Sequence, residues 1–498
     1  MKKLLITLVT VLTLATAFSF NGTLDYLYGY NFSEDASTTY QGLKTTIDLE
    51  KQVGSIYFKT TGDLVSINIG KMPDMMGNYL GKYNTYFNSL SNISEPYFLY
   101  NINEAYASIY MNYGTLKFGR FLPATGSSTL YSPSVILAAH DLINPFENNK
   151  AIAIDGLNYT GFLGNFAYEL NFIPKTNDDI PSALLYPQAL TNEINRGVNE
   201  NIATEAKNAK ETLNKKASAI ESTDPMTAAY IKSIAKIIPT EYVVKDIEKT
   251  YENEDKLNLA NSNYSAKVST SIMNFDVKLG YAFDHYKFLV PKTIDYKYDK
   301  LGEATSTVQY YRPYRNVVTL DYQGVSNFID SISYHGEAAL IIPENENVEV
   351  NIEIPTYDKD LKPIVKKSKE DVQIFEKAYV KTVLGAEYTK GEDLTLGAEY
   401  FNGLPNEEFK DKISMGGDLY IKSNIKDFAV EGAGIVAFSK INDEWKPGYQ
   451  LKTKLSYKGI DNFEPSIVLS YAYAEDDAHA LNAMESLNSV SFVFKAYF

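Results

Sequence analysis

Along much of the chain, apolar and polar residues alternate with a period of two. That is the pattern of a β-strand, in which side chains i and i+2 share a face. Leu24, Tyr26, Tyr28, Tyr30 and Phe32 fall on one side of such a segment, with Asp25 and Asn31 opposite. Phe275, Val277, Leu279, Tyr281 and Phe283 oppose Asp276 and Lys278. Ile413, Met415, Leu419 and Ile421 oppose Lys412, Asp418 and Lys422, while Leu451, Thr453, Leu455 and Tyr457 oppose Gln450, Lys452, Lys454 and Lys458. These runs exceed the five or six residues usual in soluble sheets. They are long enough to cross a bilayer at a tilt.

The pattern predicts strands near 21–33, 40–50, 53–70, 102–112, 114–121, 150–160, 164–173, 259–271, 273–285, 311–323, 327–341, 374–390, 392–403, 411–424, 426–440, 447–458, 463–476 and 487–498. Their connections alternate short and long. The even count of eighteen depends on 53–70 being one strand. Its apolar phase switches from even positions at Ile56–Leu64 to odd at Val65, Ile67 and Ile69. A β-bulge near Thr61–Leu64 would restore the phase; a turn at Gly62-Asp63 would split the strand, and sixteen strands is the alternative. The phase of Ala151–Tyr159 is open.

Composition narrows the class. The 498 residues contain no Cys, so disulfides, thiol nucleophiles and Cys-ligated metals are excluded. A formal charge of −15 argues against a nucleic-acid partner. Lys2 and Lys3, the apolar run Leu4–Leu14 and Ala15-Thr16-Ala17 read as a signal peptide over 1–17, cleaved near Ala17, leaving 18–498 as one barrel domain. Beyond it the longest apolar stretches, Val135–Ala139 and Ala338–Ile342, are too short for a membrane helix. An exported chain without such a helix is soluble or a β-barrel.

The segment Ser489–Phe498 puts Val490, Phe492, Phe494, Ala496 and Phe498 on one face and ends on an aromatic residue. It resembles the terminal strand of bacterial outer-membrane β-barrels of the porin-like family. That resemblance implies an all-β, transmembrane, antiparallel up-and-down barrel in the bacterial cell outer membrane, in contact with its lipid. It also implies folding by the barrel assembly machinery, and a homo-oligomer, a trimer in form, as an expected assembly.

The inward phase of the strands assigns candidate pore-lining residues. They are Arg120, Asp141, His335, Glu337, Lys377, Lys381, Glu387, Glu399, Lys412, Asp418, Lys452, Lys454 and Lys458. Either these charges set a field across the lumen or they merely solvate an inner face. Gly119-Arg120 followed by Pro123, Asp141 and Asn144-Pro145-Phe146 is similar to a pattern in porin-like proteins. The similarity implies that 121–149 folds into the lumen as a constriction, although the usual aromatic-Gly element after the arginine is missing. A loop lying over the outer rim is the alternative.

Residues 174–258 change character. Ile194, Val198, Ile202, Ala206, Ala209, Leu213, Ala217 and Ile220 recur at three- and four-residue spacing, one face of a long helix. Asp224-Pro225 starts a second helix that Pro239 stops, and a turn-rich piece carries Val243, Ile247 and Tyr251. A helical extracellular cap over the barrel mouth is the expectation. The acidic run Glu344–Glu349 could hold Ca²⁺ but lacks the EF-hand spacing; no other cofactor is expected. Ser333, His335 and Glu337 share a face, but i and i+2 lie about 7 Å apart in a strand, too far for direct Ser–His contact. No enzyme is expected. The expected function is passive diffusion of small hydrophilic solutes and ions. The alternatives are a surface-interaction or anchoring barrel closed by its helices, and a substrate-specific channel.

Overall fold

The computed structural model describes residues 19–498 apart from 34–35, 70–96, 124–125, 129–131, 136, 142–149, 178–181, 253–260, 327–328, 330, 359–360, 405–407, 410–412, 442–443, 477–478, 480 and 486–487. The expected cleavage segment 1–17 lies outside them.

In chain order the strands begin with β1 (Ser19–Ser33), β2 (Ala36–Val53), β3 (Ile56–Ile69), β4 (Tyr97–Met111) and β5 (Gly114–Phe121). A small pair follows, β6 (Ala139–Asp141) and β7 (Lys150–Ile152), then β8 (Ile154–Leu163) and β9 (Phe166–Ile173). Next come helices α1 (Ser182–Ile220) and α2 (Pro225–Ile237), then β10 (Val243–Tyr251), β11 (Asn263–Ile272), β12 (Phe275–His285), β13 (Val290–Tyr298), β14 (Glu303–Tyr311) and β15 (Tyr314–Val325). The chain continues through β16 (Ile332–Pro343), β17 (Asn347–Tyr357), β18 (Pro363–Gln373), β19 (Tyr379–Lys390), β20 (Leu394–Asn402) and β21 (Met415–Ile425). It closes with β22 (Phe428–Ile441), β23 (Glu444–Tyr457), β24 (Phe463–Ala474), the short helix α3 (Asn482–Glu485) and β25 (Ser489–Tyr497).

Eighteen of these strands form one antiparallel sheet, each pairing with its neighbour in order, and β25 returns to β1 to close the ring. The fold is the expected up-and-down barrel. Its faces follow the sequence period. Leu24, Tyr26, Tyr28 and Tyr30 are 38–44% exposed, whereas Asp25 and Asn31 on the opposite face are each 7% exposed. An outward apolar band with polar groups inside suits a lipid surround. At the short-turn end, Gly54 and Gly164 take φ of 61° and 59°, which glycine adopts without Cβ strain.

The expected bulge sits one strand over. β3 keeps an unbroken register with β2 from Ile56 to Ile69. The shift lies in its pairing with β4, where Thr61 faces Glu104 and Gly62 faces Ile102, leaving Asn103 as the extra residue. Leu64 stays outward at 54% exposure while Asp63 is buried, so Val65 keeps the inward phase. The open phase of 150–160 has a similar resolution. Lys150–Ile152 pair with β6, and only from Ile154 does the chain join β5.

The largest departure lies in the long connections. Between β9 and β11, β12 and β15, and β16 and β19, the chain builds a second sheet in the order β10-β14-β13-β17-β18. The pairings β10–β14 and β13–β17 are parallel, while the two hairpins are antiparallel. The turn-rich piece carrying Val243 and Ile247 is therefore a strand; a register shift at Lys245 lets Val244 and Ile247 both pack toward the core. Ile194, Val198 and Ile202 of α1 lie on Ile294, Tyr296, Val308, Val348 and Val350 of the sheet. α2 starts at Asp224, whose carboxylate accepts from Thr227 N at 3.0 Å, and packs Ala228 and Ile231 against Ala217. The cap is thus an α/β unit rather than a helical one alone.

Candidate functional site

The lumen wall near mid-barrel carries a belt of ionisable groups on β15, β16, β20 and β21. Asp321 pairs across to Glu337, Gly385 on β19 lies between His335 and Glu399, and Glu399 pairs across to Asp418. All five ionisable groups are at most 7% exposed. The chain after β5 lies against two of them, Glu337 and Glu399.

Glu337 accepts four hydrogen bonds from that segment. Ser127 Oγ and Ser128 N donate to Oε1 at 3.1 and 2.7 Å, and Ser132 Oγ and Ser134 N donate to Oε2 at 2.5 and 3.0 Å. Ser128 Oγ also donates to Glu399 at 2.9 Å. Lys267 Nζ on β11 donates to the Ser134 carbonyl at 3.2 Å. Gly126 is required at this contact, since an added Cβ would overlap Ser132 Oγ and Glu337. Phe121 and Leu137 pack with Ile154 and Ile173 at the base of the segment. The segment therefore leaves the wall between β5 and β8 and is tied to β16 and β20, five or more strand places round the ring of eighteen. Its described residues Ser127, Ser128, Ser132 and Ser134 thus lie against the inner wall.

Buried charge here is matched by donors. A buried carboxylate without them costs several kcal/mol, and the serines supply Glu337 with one donor per lone pair. His335 Nε2 lies 2.8 Å from Glu399 Oε1. Asp418 is the exception: neither carboxylate oxygen has a hydrogen-bond partner.

The remaining sequence-predicted residues divide by position. Glu387 accepts from Tyr420 Oη at 2.9 Å, and Lys454 pairs with Glu464 at 3.1 Å. Lys452 is half-buried on the inner face of β23. Arg120 pairs with Asp155 at 3.4 Å. Lys377 is exposed in the bend before β19, and Lys458 is exposed just past β23. Asp141 belongs to β6, but its side chain, like all of Lys412, lies outside the described residues. The acidic run is drawn out along the β16–β17 connection, where Glu344 accepts from Tyr314 N and Glu349 pairs with Lys369 at 2.5 Å. Among the described residues no three His, Asp or Glu side chains converge on a metal position.

Sequence reasoning missed a second cluster, at the barrel mouth beneath the cap. Glu408 lies 2.8 Å from Lys381 and 3.1 Å from Arg315, and accepts from Tyr379. Arg315 also contacts Asp284 at 3.0 Å, which binds Lys287 at 2.7 Å. Burial pushes the Glu408 carboxyl up, yet Lys381 and Arg315 hold it below the usual carboxylate range. Glu408 lies in a connection rather than a strand, so periodicity assigned it no face. A third connection also turns inward: Leu481 packs on Val383, Phe401 and Ile435.

No protein-family model matches the chain, and no curated relative matches it in sequence. Among solved structures it is similar to OccAB3 of Acinetobacter baumannii, with 10% identity over 97% of this chain and 99% of that one, and a TM-score of 0.46. OccAB4 of the same organism has 8% identity over 96% and 97% of the two chains, with a TM-score of 0.48. OpdK of Pseudomonas aeruginosa, solved with vanillate, has 6% identity over 96% and 98%, with a TM-score of 0.47. Likeness at this level carries no functional argument.

Proposed function

We infer that this chain is an outer-membrane channel through which small hydrophilic solutes and ions diffuse passively. The observation that carries this reading is the closed ring of eighteen strands with apolar residues outside and charged residues inside. Barrels of sixteen to eighteen strands enclose more space than wall side chains fill, which leaves an aqueous path. A purely structural barrel has no need to place Lys44–Asp63 and Lys278–Asp321 ion pairs on its inner wall. The chord of residues 121–141 would then narrow the path and set what passes, with Glu337 and Glu399 fixing its place. Ion pairs along the wall leave the lumen close to balanced in charge, so selectivity would come from the space beside the chord more than from a strong field.

A surface-interaction barrel is the second reading, favoured by the cap, whose buried core is that of a small folded domain. Single-channel recording in planar bilayers separates the two. Stepwise conductance that scales with salt supports the channel. Folded protein that inserts without conductance would leave the surface-interaction barrel.

A further inference from the structure

We propose that the short-turn end of the barrel binds lipid on one side only. The turns between β4 and β12 sink into the headgroup zone of the leaflet opposite the cap, and the turns between β19 and β24 stay in water. The inference goes beyond the channel reading and needs only that the barrel spans a bilayer.

The turns differ in chemistry by position. The hairpins β4–β5, β8–β9 and β11–β12 turn through residues 111–114, 163–166 and 272–275, none of which is charged. Asp276 follows the last of them on the lumen phase of β12 and accepts from Ser271 Oγ. The hairpins β19–β20, β21–β22 and β23–β24 turn through 390–393, 425–428 and 458–462, which hold seven charged residues, all exposed. Ile425 and Ile460 are exposed there as well, but each stands within two residues of two of those charges. Each set of hairpins takes six consecutive strands, and the two midpoints lie eight places apart in the ring of eighteen. The two chemistries therefore face each other across the barrel.

The uncharged turns hold large apolar side chains that touch little of the protein. Tyr113 is 78% exposed, Phe162 71%, Leu163 75% and Met273 95%. One such residue needs no explanation, whereas a group of them on neighbouring hairpins marks a surface that meets something. Met273 also takes a φ of 55°, at the turn position that is Gly54, Gly164 and Gly391 in three other hairpins and Lys426 in a fourth. A methionine there strains the backbone through its Cβ and buries nothing within the protein.

Continuity with the lipid-facing wall identifies the occupant. On β8 and β9 the outward pairs Tyr159–Leu170, Gly161–Tyr168 and Leu163–Phe166 run from the apolar band into the turn without a charged side chain. Strand length agrees. β5 and β9 have 8 residues each, fewer than the ~9–11 of a strand that crosses a bilayer at a tilt. β22 and β23 have 14 each. On the short side the turns themselves complete the apolar height, and on the long side the charged turns clear it. Apolar groups gain by leaving water, and charged ones lose more the deeper they go.

The chain has no Cys, so a single Cys substitution gives one site for a nitroxide label. Folded barrel in phosphatidylethanolamine–phosphatidylglycerol vesicles is labelled at Tyr113→Cys and Met273→Cys on one side, and at Asp393→Cys and Lys426→Cys on the other. Collisions with oxygen, which favours hydrocarbon, against those with a water-soluble nickel chelate report the depth of each label. Labels at 113 and 273 should lie about 5–10 Å below the phosphates, where interfacial apolar groups settle. Those at 393 and 426 should lie outside them. Leu163→Cys stands in should either of the first pair fail to fold. Adding Leu163→Lys and Met273→Lys together should move the label at 113 toward water. Labels at 113 and 273 open to the nickel chelate, or shielded from both reagents as in a protein contact, would overturn the proposal. So would equal depth on the two sides, or a label at 113 that the two lysines leave in place. None of these outcomes depends on current through the barrel, so the channel reading is tested separately by its own recordings.

Discussion

His335 Nε2 lies 2.8 Å from Glu399 Oε1 although their strands are not neighbours. β19 runs between them and presents Gly385 at the crossing, where a Cβ would overlap the imidazole. The contact across three strands thus depends on a missing side chain.

Gly385→Ala and His335→Ala should each lower barrel stability by about 2 kcal/mol, the range for losing a hydrogen bond to a charged group. Because both remove the same contact, their effects should not add. Denaturant midpoints of the two single variants and the double variant, in the same lipid or detergent, measure this. Full additivity would mean that Gly385 does not serve the His335 contact.

The mouth cluster gives a pH dependence whose sign follows from Glu408. Its folded carboxyl lies below the ordinary carboxylate range, held there by Lys381 and Arg315. Its contribution to stability is therefore complete above the unfolded value of about 4.3 and is lost as pH falls through the lower folded value. Glu408→Gln should be less stable than the wild type at neutral pH, with the gap closing only in strong acid. A gap that is constant down to that range would show that the carboxylate charge is not what matters.

Cap stability should depend on α1. Ile294 and Val308 are fully buried beneath it. Ile294→Ala should cost about 2–5 kcal/mol locally, read as lost hydrogen-exchange protection in β13, β14 and β17 with the barrel strands unchanged. Deleting 188–256 would uncover the same sheet, so a clean removal of the cap must also shorten the β12–β15 and β16–β19 connections. With all three shortened and the barrel still folded, conductance should rise if the cap restricts the mouth. Paired recordings at matched salt decide it, since wall charge makes conductance salt-dependent.

The seam of the barrel closes at its last residue. Gly22 N donates to the Phe498 carbonyl at 2.8 Å, and Phe498 N donates to Gly22 O at 3.0 Å. The Phe498 ring also lies 5.9 Å from that of Phe20. Removing Phe498 should lower the yield of folded, heat-modifiable barrel in cells. An unchanged yield would mean that neither the pairing nor a terminal aromatic signal limits assembly.

The barrel was legible because each strand displays its two environments in turn. Tyr26 and Asp25 differ in chemistry for the same reason that they differ in exposure. The cap sheet left an equally periodic trace, with Ile294, Tyr296 and Tyr298, then Val348, Val350 and Ile352, on its covered face. Those residues fall in connections that the barrel alone leaves free, so their period has no place in the count of wall strands. Its parallel pairings join segments far apart in sequence, which a local period cannot specify, and the shift at Lys245 disguised β10. Glu337 was read as inward, but its partner Ser134 is 203 positions away. Facing the lumen and being covered within it look alike in a strand pattern.

The cap joins the barrel through both ends of three connections, and the six strands involved, β9, β11, β12, β15, β16 and β19, are consecutive around the ring. A lid swings on one hinge, or on two that share an axis. A body sewn to six adjacent staves has no such axis, and any tilt of one stave must be followed by the rest. This arc of the wall is therefore tied together by more than the hydrogen bonds between its own strands. Traffic through the barrel would be governed by the tethered chord within it, and the cap would serve as a fixed awning.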